Sequence, residues 1–265
     1  MYPVTFLILI PFVVKICVLG TTDLQLCIDT STHTAGVALT KHDRILKAIY
    51  WNSSGSHTYE LASTVVQMLE TEGKTVTDIQ NIIVSKGPGA FSALRVGMGF
   101  AKGLSESLGI PLVGISTLEI EAARYFDTVQ GPLCPLLEVG RNRIAWSLYQ
   151  DKPNGWSLSL PEQITALDDM VKSVPNQTVF CGEGAWATLR ELNELVPNTI
   201  QIQAHAPPTR QLGILSKLGL MVLSSGDEDD KTTIEPNYLR SPSITMPSRT
   251  GQKEKLGQSR KENRR

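Results

Sequence analysis

The chain has 265 residues, of which 41% are hydrophobic and 19% charged, so it is long enough for one large domain or two modest ones and is not fully disordered. With a formal net charge of −1, we do not expect strong electrostatic binding of the whole chain to nucleic acid or to an anionic membrane. The four cysteines form no C-x-x-C pair and the four histidines are scattered, which predicts reduced, buried thiols in a cytoplasmic protein without a zinc site.

The two ends of the chain differ from the middle. Residues 4–20 are very apolar, but Pro11 and Lys15 interrupt them, and they fall short of the roughly 20 residues that a membrane helix needs. We expect residues 1–22 to lie outside the fold, as a start codon assigned too far upstream would produce; a membrane anchor is the alternative. Residues 241–265 are rich in Ser, Pro and basic side chains, which predicts a disordered basic tail.

The first half of the middle region shows strand and helix signals in alternation. Ser92 is predicted to cap the long helix and Gly109 to close it, while Ser116 and Glu119 have the spacing of a capping box at the start of a further helix. The remaining elements are predicted from apolar periodicity: strands at Leu24–Asp29, Ala35–Thr40, Ile45–Trp51, Asp78–Ser85 and Pro111–Ile115, and helices at Tyr59–Glu72 and from Ser92 to about Leu108.

The second half repeats this theme, which predicts an α/β fold with a duplicated unit. Its halves would be residues 23–128 and residues 129–240, with the last helix able to return to the first half. The predicted strands are Leu133–Glu138, Ile144–Tyr149, Thr178–Cys181 and Thr199–Ile202, and the predicted helices are Ile164–Lys172, Ala185–Asn193 and Arg210–Leu223.

The segment from Gly87 to Leu104 is the most specific part of the sequence. Gly87-Pro88-Gly89 predicts a rigid turn before a helix N-terminus, a place where anions bind, although the lysine of a phosphate-binding loop does not follow. Each glycine inside the helix costs about 1 kcal/mol relative to alanine, so three of them need a reason. Small residues recur four apart, which favours close approach of another helix, either within the chain or in a partner: Gly97 and Ala101, and Gly99 and Gly103.

Several segments resemble the bacterial TsaB family of threonylcarbamoyladenosine biosynthesis proteins, which is glycoprotease-like and a non-catalytic paralogue of TsaD. The resemblance covers about Leu24 to Arg240 and is densest from Gly87 to Glu119. The segments that carry it are Cys27–Ser31, His57–Leu61, Lys86–Arg95, Ala101–Leu104, Pro111–Glu119 and Pro236–Arg240.

The resemblance implies an actin-like, acetate-kinase-like (ASKHA) fold of two related halves. It also implies a pseudoenzyme: an accessory subunit that activates a TsaD-like transferase, together with a TsaE-like ATPase, in modifying adenosine 37 of tRNA. ATP and a metal would belong to those partners, tRNA would be contacted through the complex, and the isolated chain would be a homodimer that does not bind membranes. The chain lacks the H-x-x-x-H pair of the catalytic subunit.

Two sets of site residues follow from these readings. The partner interface is expected on the two predicted helices of the first half, at Arg95, Gly97, Gly99, Ala101, Gly103, Leu61, Val65 and Met68. The alternative function, an ATP-dependent small-molecule kinase of the same superfold, would use Asp29, Ser31, Gly87 and Gly89 as a nucleotide or phosphate loop. Arg95 could instead neutralise an internal carboxylate such as Asp29 or Glu119, and Glu183 reads as a carboxylate at a helix N-terminus.

Overall fold

The computed structural model describes residues 24–42, 44–53, 57–140, 142–153, 155–196, 201–226, 229–231 and 233–239. The predictions for residues 1–22 and 241–265 lie outside this part of the chain. Within it, no helix has the length and hydropathy needed to cross a bilayer.

The first half is built on a five-stranded mixed sheet. Strand β1 pairs with β2 in the antiparallel sense and with β4 in the parallel sense, which gives the order β3-β2-β1-β4-β5. Its elements are β1 (Leu24–Asp29), β2 (Thr34–Lys41), β3 (Arg44–Asn52), helix α1 (His57–Thr71), β4 (Ile79–Ser85), helix α2 (Phe91–Leu108), β5 (Leu112–Ile115) and helix α3 (Thr117–Ala123), with a 3-10 turn at Val76–Asp78.

The second half contains another five-stranded sheet of the same order, β8-β7-β6-β9-β10. Its elements are β6 (Pro132–Glu138), β7 (Ile144–Lys152), β8 (Gly155–Thr165), helix α4 (Leu167–Ser173), β9 (Val179–Cys181), helices α5 (Glu183–Ala187) and α6 (Leu189–Leu195), β10 (Ile202–Gln203) and helix α7 (Leu212–Ser225). In both sheets an antiparallel three-stranded unit continues into two parallel strands, so the predicted actin-like fold of two related α/β halves is confirmed.

Helices cover both faces of the first sheet. Helices α1 and α2 pack on one face through an apolar cluster that includes Leu26, Ile82 and Met98. The last helix, α7, packs on the other face, where Leu212 and Leu215 join Ile83 and neighbouring side chains. Because both faces are covered, all six residues of β1 are buried, including the polar Gln25 and Asp29.

Helix α3 lies between the halves, since it contacts both α7, which packs on the first sheet, and strands β6 and β7 of the second sheet. Helices α4, α5 and α6 lie on the outer side of that sheet, around the buried side chains of Trp146 and Phe180. Side chains that join the halves come from α3, from the start of α5, from β8 at Glu162 and from the segment before α7.

The local predictions failed at three places. Strand β8 was not predicted, and the helix expected at Ile164–Lys172 begins only at Leu167, because the strand continues to Thr165. Helix α2 begins at Phe91 with Ala90 as its N-cap, so Ser92 does not cap it. The helix expected at Ala185–Asn193 is two short helices. By contrast, the Ser116 hydroxyl accepts the Glu119 N–H at 3.3 Å, and Gly109 ends α2 with φ of 67°.

Candidate functional site

A buried arginine joins the two halves. All five N–H donors of the Arg210 guanidinium are used: Nε bonds the Asp29 carboxylate at 2.6 Å, Nη1 bonds Glu183 at 2.6 Å and Glu121 at 3.3 Å, and Nη2 bonds the Thr32 hydroxyl at 2.7 Å and the Thr34 carbonyl at 3.1 Å. The Arg210 side chain is only 2% exposed. Residues from β1, the turn after it, α3 and α5 therefore share one cation.

The carboxylates around Arg210 respond differently to burial. Burial opposes ionisation of Asp29, but Arg210 and hydrogen bonds from Ser31 and Ser85 outweigh it and hold the pKa of Asp29 below its ordinary value. For Glu121, burial outweighs Arg210 and the Thr209 hydroxyl, so its pKa is raised. Burial also disfavours the charged guanidinium, yet the three carboxylates raise the pKa of Arg210. The cluster is a fixed interdomain network of charge and hydrogen bonds.

The predicted phosphate loop comes together in space, but its polar groups are already bound. Ser31 donates its N–H and hydroxyl to Asp29, and Ala90 donates its N–H to the Ser31 carbonyl at 2.7 Å. Gly89 is required here, since a Cβ at this position would lie 2.2 Å from the Ser31 carbonyl oxygen. The Gly87 carbonyl accepts the Thr117 N–H at 2.8 Å. The loop that follows β4 therefore packs against the turn after β1 and the start of α3.

These residues do not fit a magnesium–ATP site of the kinase type. One oxygen of Asp29 accepts the Ser31 and Ser85 donors, and the other bonds Arg210 at 2.6 Å. Both oxygens of this carboxylate already accept hydrogen bonds, and the adjacent guanidinium repels a divalent cation. The four residues predicted for this role, Asp29, Ser31, Gly87 and Gly89, are placed as structural contacts.

Two of the segments that carry the sequence resemblance, one beginning at Lys86 and one beginning at Pro236, touch each other. Asn237 donates its N–H to the Lys86 carbonyl at 2.6 Å, and the ring centroids of Phe91 and Tyr238 are 4.7 Å apart. The Lys102 ammonium also donates to the Ile234 carbonyl at 3.0 Å. The late segment therefore packs along the glycine loop and α2. Arg240 lies outside the described residues.

The glycines of α2 divide between its two sides. A Cβ at Gly97 would lie 2.2 Å from the Thr30 hydroxyl, and Ala101 is fully buried, so this pair packs against the first sheet. A Cβ at Gly99 or at Gly103 would meet no atom within 4 Å, apart from the helix's own nearby backbone. The spacing thus serves an internal contact with one pair and leaves the other pair on the open side of the helix.

The predicted interface residues of α1 point inward. Leu61, Val65 and Met68 are buried in the core, so their side chains pack within this chain and reach a partner only indirectly. The open side of α1 carries two other apolar residues instead, Tyr59 at 78% exposure and Val66 at 54%. Together with Gly99 and Gly103 they form what we call the α1/α2 face: Tyr59, Ser63, Val66, Arg95, Gly99 and Gly103.

The sequence did not reveal which arginine is buried. Arg95 is exposed and stacks over the Phe91 ring, with its guanidinium carbon 5.4 Å from the ring centroid, so the suggestion that it neutralises Asp29 was wrong. Glu183 does begin a helix, but it bonds Arg210 and the Thr32 hydroxyl across the halves. Arg210 and Glu121 were missed, and no local signal marks either of them.

Comparison with protein families gives a match over residues 52–242 to the family described as TsaD, tRNA N6-adenosine threonylcarbamoyltransferase. Among individual sequences, the tRNA threonylcarbamoyladenosine biosynthesis protein TsaB of Bacillus subtilis is 28% identical over 223 residues, which cover 81% of this chain and 93% of that protein. The TsaB protein of Escherichia coli is also 28% identical, over 64% of this chain and 77% of its own length.

Comparison with solved structures supports the same fold. YeaZ from Pseudomonas aeruginosa superposes with a TM-score of 0.69 at 23% sequence identity, covering 82% of this chain and all of that one. At this level of sequence identity, the structural similarity is evidence for the fold alone.

Proposed function

The chain belongs to the TsaD family and resembles TsaB proteins over most of its length, and from this premise we propose that it is a non-catalytic subunit of the tRNA threonylcarbamoyladenosine modification machinery. In this role it binds and activates a TsaD-like transferase, which carries the catalysis, and a TsaE-like ATPase takes part in the same reaction. The similarity to TsaB proteins supports the role in threonylcarbamoyladenosine biosynthesis.

The open α1/α2 face is the observation that carries the accessory role. Tyr59 and Val66 expose apolar surface that the core does not use, and Gly99 and Gly103 leave the backbone of α2 accessible between them. Small residues on a helix surface allow a second helix to approach closely, and exposed aromatic anchors concentrate binding energy. We therefore assign the transferase-binding surface to this face, with Arg95 at its edge for a partner carboxylate.

The interdomain cluster supports the accessory role over the kinase alternative. Arg210 bonds residues of both halves and occupies the Asp29 carboxylate, which the kinase alternative would need for a nucleotide or phosphate. We expect isothermal titration of the isolated chain with magnesium–ATP to give no binding heat. Measured binding would bring the kinase alternative back.

The Gly99→Leu variant tests the interface. The added side chain enters open space, so folding is retained, but it fills the space that an approaching helix needs. Size-exclusion chromatography with light scattering should show a discrete complex between the wild-type chain and the same organism's TsaD-like protein, and association at least roughly tenfold weaker for the variant.

Ser224→Leu is the matched control, because it adds the same side chain to an exposed position of α7, on the opposite side of the first sheet. It should associate like the wild type. Equal association of Gly99→Leu and wild type would refute the interface. Failure of the wild-type chain to associate at all, while folded, would refute the accessory role itself.

A further inference from the structure

The second half carries a groove that the proposed function does not use. It has a volume of about 660 Å³ and lies between α4, α6 and the ends of β6 and β7. Its lining combines apolar residues with a strongly acidic set. The apolar residues are Ile144, Ala166, Leu167, Ala187 and Leu195, and the acidic residues are Glu138, Asp168, Asp169, Glu191 and Glu194.

The acidic residues of this groove are largely without counter-charges. Lys172 is the one basic residue in the lining, and Glu194 forms an exposed ion pair with Arg190 at 3.5 Å. Across the described part of the chain, the other four carboxylates take part in no ion pair. The groove therefore concentrates negative potential over a partly apolar surface, which suits a basic segment that also carries some apolar atoms.

The chain reaches its last described residue, Leu239, on the face of β6 and β7 opposite the groove. Leu239 packs against the cluster formed by Leu137, Ala145 and their neighbours. The flanking residues Glu138 and Ile144 pair with each other across β6 and β7 and line the groove on the other face of these strands. Strands β6 and β7 therefore lie between Leu239 and the groove.

The sequence that follows has the complementary charge. Residues 248–265 contain seven basic and two acidic side chains, and Leu256 adds an apolar one. The first of these basic residues, Arg249, comes ten residues after Leu239, and ten residues of extended chain span about 33 Å. That length exceeds the thickness of one sheet layer, since packed layers lie about 10 Å apart, so the chain can pass around the β6–β7 end of the second sheet to the groove.

We propose that residues 248–265 bind in this acidic groove of the same molecule. The basic side chains face the carboxylates of the rim, and the groove thereby holds a cationic segment that would otherwise meet RNA or other polyanions. The contact is electrostatic in the main, so raising the salt concentration from 0.05 M to 1 M releases the segment.

Carbodiimide cross-linking of the full-length chain tests this contact, because the reagent joins a lysine to a carboxylate only when the two already touch. Peptide mapping should find Lys253, Lys255 or Lys261 joined to groove carboxylates at low salt, with at least a fivefold lower yield at 1 M salt. In the double variant Asp168→Asn/Asp169→Asn, the yield of cross-links to the remaining groove residues, above all Glu191, should fall at least threefold.

A matched variant separates the groove from general acidity. Asp127→Asn/Asp151→Asn removes the same charge from exposed positions outside the groove, and it should leave the cross-links unchanged. A 1:1 mixture of ¹⁵N-labelled and unlabelled chain identifies the partner molecule. Cross-links spread evenly over Asp127, Asp151 and the groove would overturn the proposal. So would cross-links found only between labelled and unlabelled chains, which would assign the groove to a second copy.

Discussion

Replacing Arg210 by methionine should strongly destabilise the protein. The substitution keeps most of the aliphatic stem but removes five hydrogen bonds, and it leaves Asp29 and Glu121 buried without their cation. Removing one partner of a buried ion pair costs about 3–5 kcal/mol, because the other charge stays desolvated. We expect a loss of this size in the free energy of unfolding at pH 8, measured by urea denaturation.

The loss should depend on pH with a definite sign. In the wild type the pKa of Asp29 is below its ordinary value, so its contribution to stability is present above that value and is lost as the pH falls through the folded pKa. Without Arg210 the pKa of Asp29 rises, because the largest influence that lowers it is gone while burial remains. Stability of the variant then falls as the pH rises through that raised pKa. The difference from wild type should be at least about 1 kcal/mol smaller at pH 5 than at pH 8.

Arg95→Met is the control for this experiment, since Arg95 is exposed and its stacking on Phe91 is worth about 0.5–1 kcal/mol. It should change the unfolding free energy by no more than that, at either pH. A loss below about 1 kcal/mol for Arg210→Met, or a loss equal at pH 5 and pH 8, would refute the view that this cation holds the halves together.

Two further changes probe the packing of α2 and the polar contacts near α3. Gly97→Ala should lower the unfolding free energy by about 1–3 kcal/mol, because its Cβ would lie 2.2 Å from the Thr30 hydroxyl, whereas Gly103→Ala should raise it by up to about 1 kcal/mol; equal effects in urea denaturation would contradict the assignment of the two sides. Burial raises the pKa of Glu119 by more than the nearby Lys86 ammonium lowers it, and the Glu162 carboxylate adds to the rise, so stability falls as the pH rises towards the folded pKa of this group. Glu119→Gln should therefore raise the urea midpoint at pH 8 and leave it unchanged at pH 4, and the reverse order would show that the carboxylate is stabilising.

Periodicity and turn residues predicted most of the fold because both are local signals. Apolar runs such as Leu24–Asp29 form strands as predicted, and the Ser116 cap depends on residues three apart. Strand β8 was missed for an equally local reason: Pro161 lies inside it, and proline counts against a strand except at a sheet edge. Strand β8 is such an edge, a fact that only the sheet order reveals.

The site was harder to predict because its contacts join distant parts of the chain. Arg210 and Asp29 are 181 positions apart, and nothing near either residue marks the other. The glycine spacing of α2 indicated close packing but could not say on which side, since Gly97 and Gly99 differ only in what the folded chain brings against them. Regular spacing of apolar residues predicts which side of a helix is buried, whereas a single charged residue such as Arg210 belongs to no such pattern and its burial is not predicted.

Helix α7 packs on the first half of the protein but is synthesised after most of the second half. Residues 212–225 cover the face of the first sheet around Ile83 and Val113, and Arg210 just before them completes the cluster at Asp29. A chain emerging from the ribosome therefore presents an open apolar sheet until almost all of the fold has been made. The first half cannot finish folding ahead of the second, and a nascent chain that stalls before α7 exposes a surface that chaperones bind.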